Sequence, residues 1–456
     1  MSLPVGGVRN LADYLHYFEP VNLSAFSPLL MSHNFSVAVV NVGDELLLGI
    51  RENAHLSYIG QHVSKRGGDL VHARVVPDQV DEIAEAISGS MKVADIVFVT
   101  GGLGPTADDL TREAMAKVLG SRLVHDSQVE KGIRQKFQSV GRSMSQNNLR
   151  QCQRPPEAEV ISNRWGTAPG LRMHLEHSFI YLLPGPRSEL GPMFEEEVLP
   201  ELEEKGCLGD QSSWLQIRTA GLGESTVETR LAPIVESRPN VQFAFCAHAG
   251  IVDVRLSPAE SGTGTAAVNQ AGEECRLMLG ENFFGFGNDS LAKILILQLR
   301  CWDRTLAVAE SCTGGLLSGS FTDIPGASKV FIGGVVAYTN ATKVQLLDVP
   351  ESLLQQHGAV SGEAAVAMAT GAAERLGSDY ALSVTGFAGP EGGTAENPVG
   401  TVYAAHFSPS GVWSKRLVLP GNRGAVRERA VNETLDWARR TLNRYKVHDF
   451  LASPGE

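Results

Sequence analysis

Glu310-Ser311-Cys312-Thr313-Gly314-Gly315 is the stretch on which the reading of this chain turns. The apolar run Leu306-Ala307-Val308-Ala309 precedes it and reads as a short buried strand, and Leu316-Leu317-Ser318-Gly319-Ser320-Phe321 follows and suits a helix start. A strand, a turn of hydroxyls and glycines, and a helix gather Ser311, Thr313 and free backbone N–H groups at one positive helix end. That place suits a nucleophile, an oxyanion or a phosphate. It suits equally well a helix capped by Ser311 and Thr313, with glycines for close packing, since such turns recur throughout α/β proteins. The hexapeptide alone leaves both readings open.

Two further strands downstream favour the first. Val335-Val336-Ala337-Tyr338 delivers Tyr338, with Lys343 five positions later, and Ala381-Leu382-Ser383-Val384-Thr385 opens into Gly386-Phe387-Ala388-Gly389-Pro390-Glu391-Gly392-Gly393-Thr394. Three strand ends bearing polar groups can share one crevice of an open α/β sheet. Together with Ile324-Pro325-Gly326-Ala327-Ser328-Lys329 and Gly358-Ala359-Val360-Ser361, these segments resemble the C-terminal domain of the CinA (competence/damage-inducible) family, from about Asp289 to Asn443. Members of that family include nicotinamide mononucleotide amidohydrolases. The resemblance implies hydrolysis of nicotinamide mononucleotide to nicotinate mononucleotide and ammonia, a step of pyridine nucleotide salvage.

An amide is a poor electrophile, so its hydrolysis needs an activated nucleophile, oxyanion stabilisation and a proton for the departing ammonia. Ser311 is the candidate nucleophile and Lys343 the candidate base, with Tyr338 as its hydrogen-bond partner or proton relay. A lysine can serve as a base where burial or a nearby cation depresses its pKa from about 10.4. Thr385 and turn N–H groups near Gly314 or Gly386 are the candidate oxyanion donors. Glu310, Thr313, Gly314, Gly315, Gly386, Ala388, Gly389, Gly393 and Thr394 complete the expected substrate contacts. The substrate phosphate is expected against a helix end or the pair Arg423 and Arg427. The plainer reading of both arginines is surface solvation, and that of Lys343 a helix-surface charge. None of the twelve histidines stands in an HExxH-like spacing, so no metal is expected in this domain.

At 456 residues the chain has room for about three domains. Its 20% charged and 43% hydrophobic residues form an ordinary globular profile, and a formal net charge of −12 argues against a general nucleic-acid binder. No apolar run approaches the roughly 20 residues needed to cross a bilayer, and no signal-peptide pattern opens the sequence. Six scattered cysteines without CxxC pairs read as reduced thiols. The expectation is a cytoplasmic protein with small nucleotides as partners, and neither nucleic acid nor membrane.

Residues 1–35 are an extension without an assigned role. Organised sequence begins at the strand Phe35–Val42. Gly43-Asp44-Glu45 and a helical pattern over His55–Lys65 come next, then a strand over Leu70–Val76 and a helix over Val80–Met91. The strand Ala94–Thr100 ends in Gly101-Gly102-Leu103-Gly104-Pro105-Thr106-Ala107-Asp108-Asp109. Strands alternating with helices imply a largely parallel, doubly covered sheet. The Gly-rich turn can bring N–H groups against phosphate oxygens. Asp44, Glu45, Asp108 and Asp109 stand at two strand ends and suit a divalent cation such as Mg, Mn or Co. Alternatively, Asp108 caps the following helix and Asp44 steadies a turn.

With Pro184-Gly185-Pro186-Arg187-Ser188-Glu189, these segments resemble the molybdopterin-binding-like domain at the N-terminus of CinA proteins. The resemblance implies metal-dependent ADP-ribose pyrophosphatase activity. It also implies nucleotide contacts from Gly43, Asn53, Gly101, Gly102, Gly104, Pro105, Thr106, Gly185, Arg187 and Glu189. The chain departs from the family in two places: it reads Ile50-Arg51-Glu52-Asn53-Ala54-His55 where the family reads close to Gln-Ile-Val-Asn-Thr-Asn, and Arg187 replaces a proline.

The expected fold class is α/β. A three-layer molybdopterin-binding-like domain spans 36–205, a small α+β linking module 206–288, and an α/β CinA amidohydrolase domain 289–447. Gly221-Leu222-Gly223 lacks the third glycine of a dinucleotide fingerprint. The resemblance also implies a homodimer. Other functions compatible with the sequence are a pyrophosphatase alone and a non-catalytic nucleotide sensor or docking protein. Retention of Ser311, Tyr338, Lys343 and Thr385 together speaks against the sensor.

Overall fold

A computed structural model of the chain describes residues 35–209, 214–259 and 265–452, with side chains placed through Leu442. The extension 1–34 and the loop glycines Gly262 and Gly264 lie outside the described residues. Described residues fall into two compact units, one of 35–209 with Trp214, the other of 215–259 and 266–452.

In the first unit, β1 (Ser36–Val42), α1 (Ala54–Ser64), β2 (Asp69–Val76), α2 (Val80–Met91), β3 (Ile96–Thr100), α3 (Thr111–Leu119) and α4 (Ser127–Ser139) follow in order. Then come β4 (Glu159–Ile161), β5 (Gly170–Leu175), β6 (Ser178–Leu183) and α5 (Arg187–Met193). They build a six-stranded sheet in the order β2-β1-β3-β6-β5-β4. Neighbours from β2 to β6 run parallel, while the β6–β5 and β5–β4 pairs are antiparallel. β3 is buried at every position and β1 at all but its first, as a parallel strand covered on both faces requires. Ala38, Val40, Val97 and Val99 pack on α2 and α3, whereas Val37, Val39, Ile96 and Phe98 pack with Ile59, Leu190 and Phe194. The strand ends that carry the Gly-rich turn thus open at one edge of a rigid core.

The second unit begins with β7 (Leu215–Ala220), α6 (Glu224–Ser237), β8 (Val241–His248), β9 (Ile251–Pro258), α7 (Thr265–Leu279) and β10 (Phe283–Phe286). This β-α-β-β-α-β run closes an antiparallel sheet in the order β8-β9-β7-β10, a ferredoxin-like arrangement. The chain continues through α8 (Leu291–Cys301), β11 (Leu306–Glu310), α9 (Leu316–Thr322), β12 (Phe331–Val336), α10 (Asn340–Leu347), α11 (Glu351–His357) and α12 (Gly362–Leu376). It ends with β13 (Tyr380–Gly386), β14 (Thr401–Ser408), β15 (Gly411–Val418) and the long α13 (Arg423–Ala452). The five strands order as β12-β11-β13-β14-β15. β11 runs parallel to both neighbours, and the β14–β15 hairpin runs antiparallel on the far side.

α13 joins the two parts of this unit. Asp436, buried on α13, holds Arg439 and Arg440, and their guanidiniums donate to the carbonyls of Glu281 and Ala220 at 2.7 and 2.8 Å. α13 continues to Ala452, beyond the boundary near 447 read from sequence.

Candidate functional site

After β11 the chain goes to β12 on one side, and β13 takes the other side, so the end of β11 is a topological switch point. Ser311 stands there, its N–H donating to Val384 O at 2.9 Å. Gly314 and Gly315 carry φ of 57° and 99°, a left-handed pair that turns the chain sharply into α9.

Lys343, on α10, is buried to 1% exposure, and its Nζ lies 3.0 Å from Ser311 Oγ. Its other partners are the carbonyls of Ala337 at 2.9 Å and Tyr338 at 3.4 Å. Burial holds its pKa below the ordinary lysine value. A neutral amine has two N–H donors and one lone pair. Nζ donates to Ser311 Oγ and to both carbonyls, the three bonds an ammonium can make; as the neutral amine, with its two donors on the carbonyls, its lone pair would face the Ser311 hydroxyl.

Several expected contacts take other forms. The Glu310 carboxylate is fully buried and accepts from the N–H groups of Gly315, Leu317 and Ser318 and from the Ser318 hydroxyl, at 2.6 to 3.0 Å. It therefore caps α9 rather than meeting substrate, and it occupies the positive helix end that sequence suggested for a phosphate. Tyr338, two residues past the edge strand β12, is 56% exposed, and its hydroxyl accepts from Arg423 at 2.9 Å rather than meeting Lys343. Thr385 Oγ1 donates to Ala359 O at 2.7 Å, so its proton is already committed.

Arg427 does not stand free for a phosphate either. It donates to the carbonyls of Cys312 and Thr313 at 3.0 and 2.7 Å. Among the hydrogen bonds of the described residues none takes the N–H group of Thr313, whereas the Cys312 N–H faces its own thiol; the Thr313 hydroxyl is buried without a partner. The Thr313 N–H, two residues after Ser311, is therefore freer to meet an oxyanion than that of Gly314, which bonds Ser311 O. Arg423 also donates to Gly389 O at 2.7 Å, joining the Gly386–Thr394 loop to Tyr338. Ala388 is buried, whereas Gly393 and Thr394 are exposed, and Thr394 bonds Asn397 within a turn. The Cys312 thiol is raised to about 11, chiefly by burial, which leaves it a poor competitor to Ser311.

A cleft of about 410 Å³ opens at the strand ends of the first unit. It collects Gly43, Glu45, Asn53, Gly101, Gly102, Gly104, Pro105, Thr106, Asp108, Asp109, Gly185 and Glu189 from the sequence set. A Cβ on Gly102 would stand 2.2 Å from Thr111 Oγ1, so only glycine fits there. Beneath it, Asn53 donates to Asn41, Asn41 to Thr100, and the Thr100 hydroxyl meets His55 Nδ1 at 3.1 Å. Burial and the Arg187 charge keep the His55 pKa low. Arg187 itself is not part of the cleft; its guanidinium stacks 3.2 Å above the Tyr58 ring.

The four expected metal ligands do not converge. Asp109 accepts from Gly104 N–H and Thr106 at 2.6 to 2.8 Å and so braces the Gly-rich turn, and Asp108 pairs with the Thr106 hydroxyl. Asp44 exchanges bonds with Asp78, and no group of three His, Cys, Asp or Glu among the described residues is arranged to hold an ion. These residues as they stand do not fit a metal site. Sequence reading missed two contributors to the cleft. Asp78 lines it at the end of β2, its pKa raised by burial and by Asp44, Glu45 and Asp108. Arg112, buried on α3, donates to the carbonyls of Leu103 and Gly104 at 2.6 and 2.8 Å. A charged residue directly past each strand or loop was the available signal.

Comparison with known proteins adds three matched families. "CinA C-terminal domain" matches residues 288–442, "Probable molybdopterin binding domain" 38–204, and "Damage-inducible protein CinA KH domain" 216–285. No Gly-x-x-Gly occurs between 216 and 285, so the module lacks the loop by which KH folds clamp a nucleic-acid backbone. A CinA-like protein of Kosmotoga olearia is 37% identical over 407 residues, covering 89% of this chain and 98% of that protein. One of Frankia casuarinae is 39% identical over 411 residues, covering 88% and 95%. A crystal structure of the protein CinA from Thermoplasma acidophilum, titled as of unknown function, covers 38% of this chain and 99% of its own at 31% identity, with a TM-score of 0.35.

Proposed function

The chain belongs to the CinA family, and from that premise we propose that its C-terminal domain hydrolyses nicotinamide mononucleotide to nicotinate mononucleotide and ammonia. The observation that carries the proposal is the buried Lys343 Nζ 3.0 Å from Ser311 Oγ, oriented by two carbonyls.

Ser311 Oγ attacks the carboxamide carbon while its proton passes to Lys343 Nζ. The carbonyl π bond opens, and the oxyanion meets the N–H group of Thr313. When it collapses, the C–N bond breaks and Lys343 returns the proton to the leaving nitrogen, which departs as ammonia. Water then attacks the Ser311 ester, Lys343 takes its proton, and collapse frees nicotinate mononucleotide and restores the Ser311 hydroxyl. Acid quench during turnover, followed by peptide mass analysis, tests this. A nicotinate mononucleotide acyl group is expected on the Ser311 peptide; its appearance on another residue would remove Ser311 from the role.

The cleft of the molybdopterin-binding-like domain supports a second, ligand-binding role. Its glycine turn, Thr106 and the Asn41–Thr100–His55 network suit a nucleoside diphosphate, with ADP-ribose the candidate. Because the carboxylates do not form a metal site, no hydrolytic step is assigned there. Binding of ADP-ribose, followed by titration calorimetry with and without divalent ions, tests this reading.

A further inference from the structure

The ferredoxin-like module meets the C-terminal domain without filling the space beside the contact. Ala220, Ile251 and Phe284, on the sheet face turned away from α6 and α7, pack with Leu291, Leu295 and Leu435 of α8 and α13. Next to them a cleft of about 680 Å³ opens, a size that small ligands occupy, at the kind of junction where they bind. It shares no lining residue with the cleft of the first unit, and Ser311, Lys343, Arg423 and Arg427 do not line it. Much of the lining is apolar, with Ile251 of β9, Leu291, Ile296 and Leu297 of α8, and Ile324 of the α9–β12 turn.

The charged groups of this cleft are unequally engaged. Arg218 donates to Asp253 at 3.0 Å and to the carbonyl of Asp289 at 2.5 Å, and Lys293 pairs with Asp289 at 2.7 Å. The Arg300 guanidinium has no hydrogen bond or ion pair among the described residues, and neither has the Asp323 carboxylate. These two opposite charges line one cleft without pairing with each other. Arg300 lies two turns of α8 beyond Lys293, about 10 Å along the helix, with Leu297 between them on the same face.

We propose that this cleft binds a small organic anion with an apolar body and a hydroxyl or N–H donor. Arg300 gives a carboxylate, sulfonate or phosphate two parallel N–H bonds, the apolar lining takes the body, and Asp323 accepts from the donor. A bare inorganic ion would leave the apolar lining wet, and a neutral apolar molecule would leave Arg300 unmatched.

Anilinonaphthalenesulfonate, with a sulfonate, an N–H and fused aromatic rings, is the probe, titrated by fluorescence against the full chain. Saturable binding of one molecule per chain is expected, undisturbed by saturating nicotinamide mononucleotide or ADP-ribose. Arg300→Glu should weaken it at least about tenfold. Lys329→Glu makes the same charge change at an exposed residue outside the cleft and should leave affinity unchanged. Phenylnaphthylamine keeps the rings without the sulfonate; it should bind wild type at least about tenfold more weakly and ignore Arg300→Glu. Displacement by either nucleotide would overturn the proposal, as would failure to saturate. Equal affinity in wild type and Arg300→Glu, equal weakening by Lys329→Glu, or equal affinity for the two probes would overturn it as well.

Discussion

Lys343 owes its chemistry to confinement: burial lowers its pKa, and carbonyls rather than a carboxylate receive its protons. Lys343→Met keeps the apolar stem but provides no base. We expect kcat to fall at least about a hundredfold with KM little changed. A raised KM with kcat intact would instead make Lys343 a binding group. In wild type, kcat/KM should rise with pH through a limb set below the ordinary lysine value of about 10.4, because only the neutral amine can take the Ser311 proton. Glu310 makes a different prediction. Glu310→Gln keeps the shape but weakens a cap of four hydrogen bonds, so thermal stability should drop by about 1–3 kcal/mol. A loss of substrate affinity without loss of stability would return Glu310 to the substrate. Sequence made Ser311 and Lys343 legible as a pair because both follow strand ends. It did not show the partners that Glu310, Tyr338 and Thr385 take, because residue type and position do not say which partner a polar atom finds first.

At the scale of elements, β14 carries an unusual core residue. His406 is 1% exposed, neither ring nitrogen has a hydrogen-bond partner, and Tyr380, Trp413 and Trp437 surround it at 6.0 to 6.3 Å. Burial pushes its pKa down to about 4. The unfolded chain binds this proton near pH 6.5, the folded one only near 4, so full stability holds above 6.5 and is lost as pH falls between those values. The loss amounts to about 3 kcal/mol. Urea unfolding of wild type and His406→Phe across pH 4–7 checks it: the variant should lose this slope, and an unchanged slope would place its origin elsewhere. Elements buried on both faces, such as β1, β3 and β11, were plain in the sequence as apolar runs. β8 was overlooked although Val241, Phe243 and Phe245 alternate between the turns at Pro239-Asn240 and Ala249-Gly250, because the small and polar residues Gln242, Ala244, Cys246 and His248 between and after them dilute the pattern. The β14–β15 hairpin was overlooked too, its polar edge diluting the pattern.

For the whole molecule, the chain carries two sites in two compact units, and they should respond to mutation separately. Gly102→Val would force a side chain against Thr111. We expect it to weaken ADP-ribose binding at least about tenfold and to leave ammonia release from nicotinamide mononucleotide unchanged; loss of both would mean that the units are coupled. The domain order was legible because each domain announces itself by a glycine-rich strand end. The joining of the ferredoxin-like module to the C-terminal domain was not, since it rests on α13 contacts between Arg439, Arg440 and carbonyls far away in sequence. The most direct measurement of the central claim is ammonia release from nicotinamide mononucleotide by the full chain, wild type against Ser311→Ala. Stoichiometric ammonia and nicotinate mononucleotide from wild type, with a rate at least about a hundredfold lower in the variant, is the predicted result. Equal rates from the two proteins, or no ammonia from wild type, would contradict it.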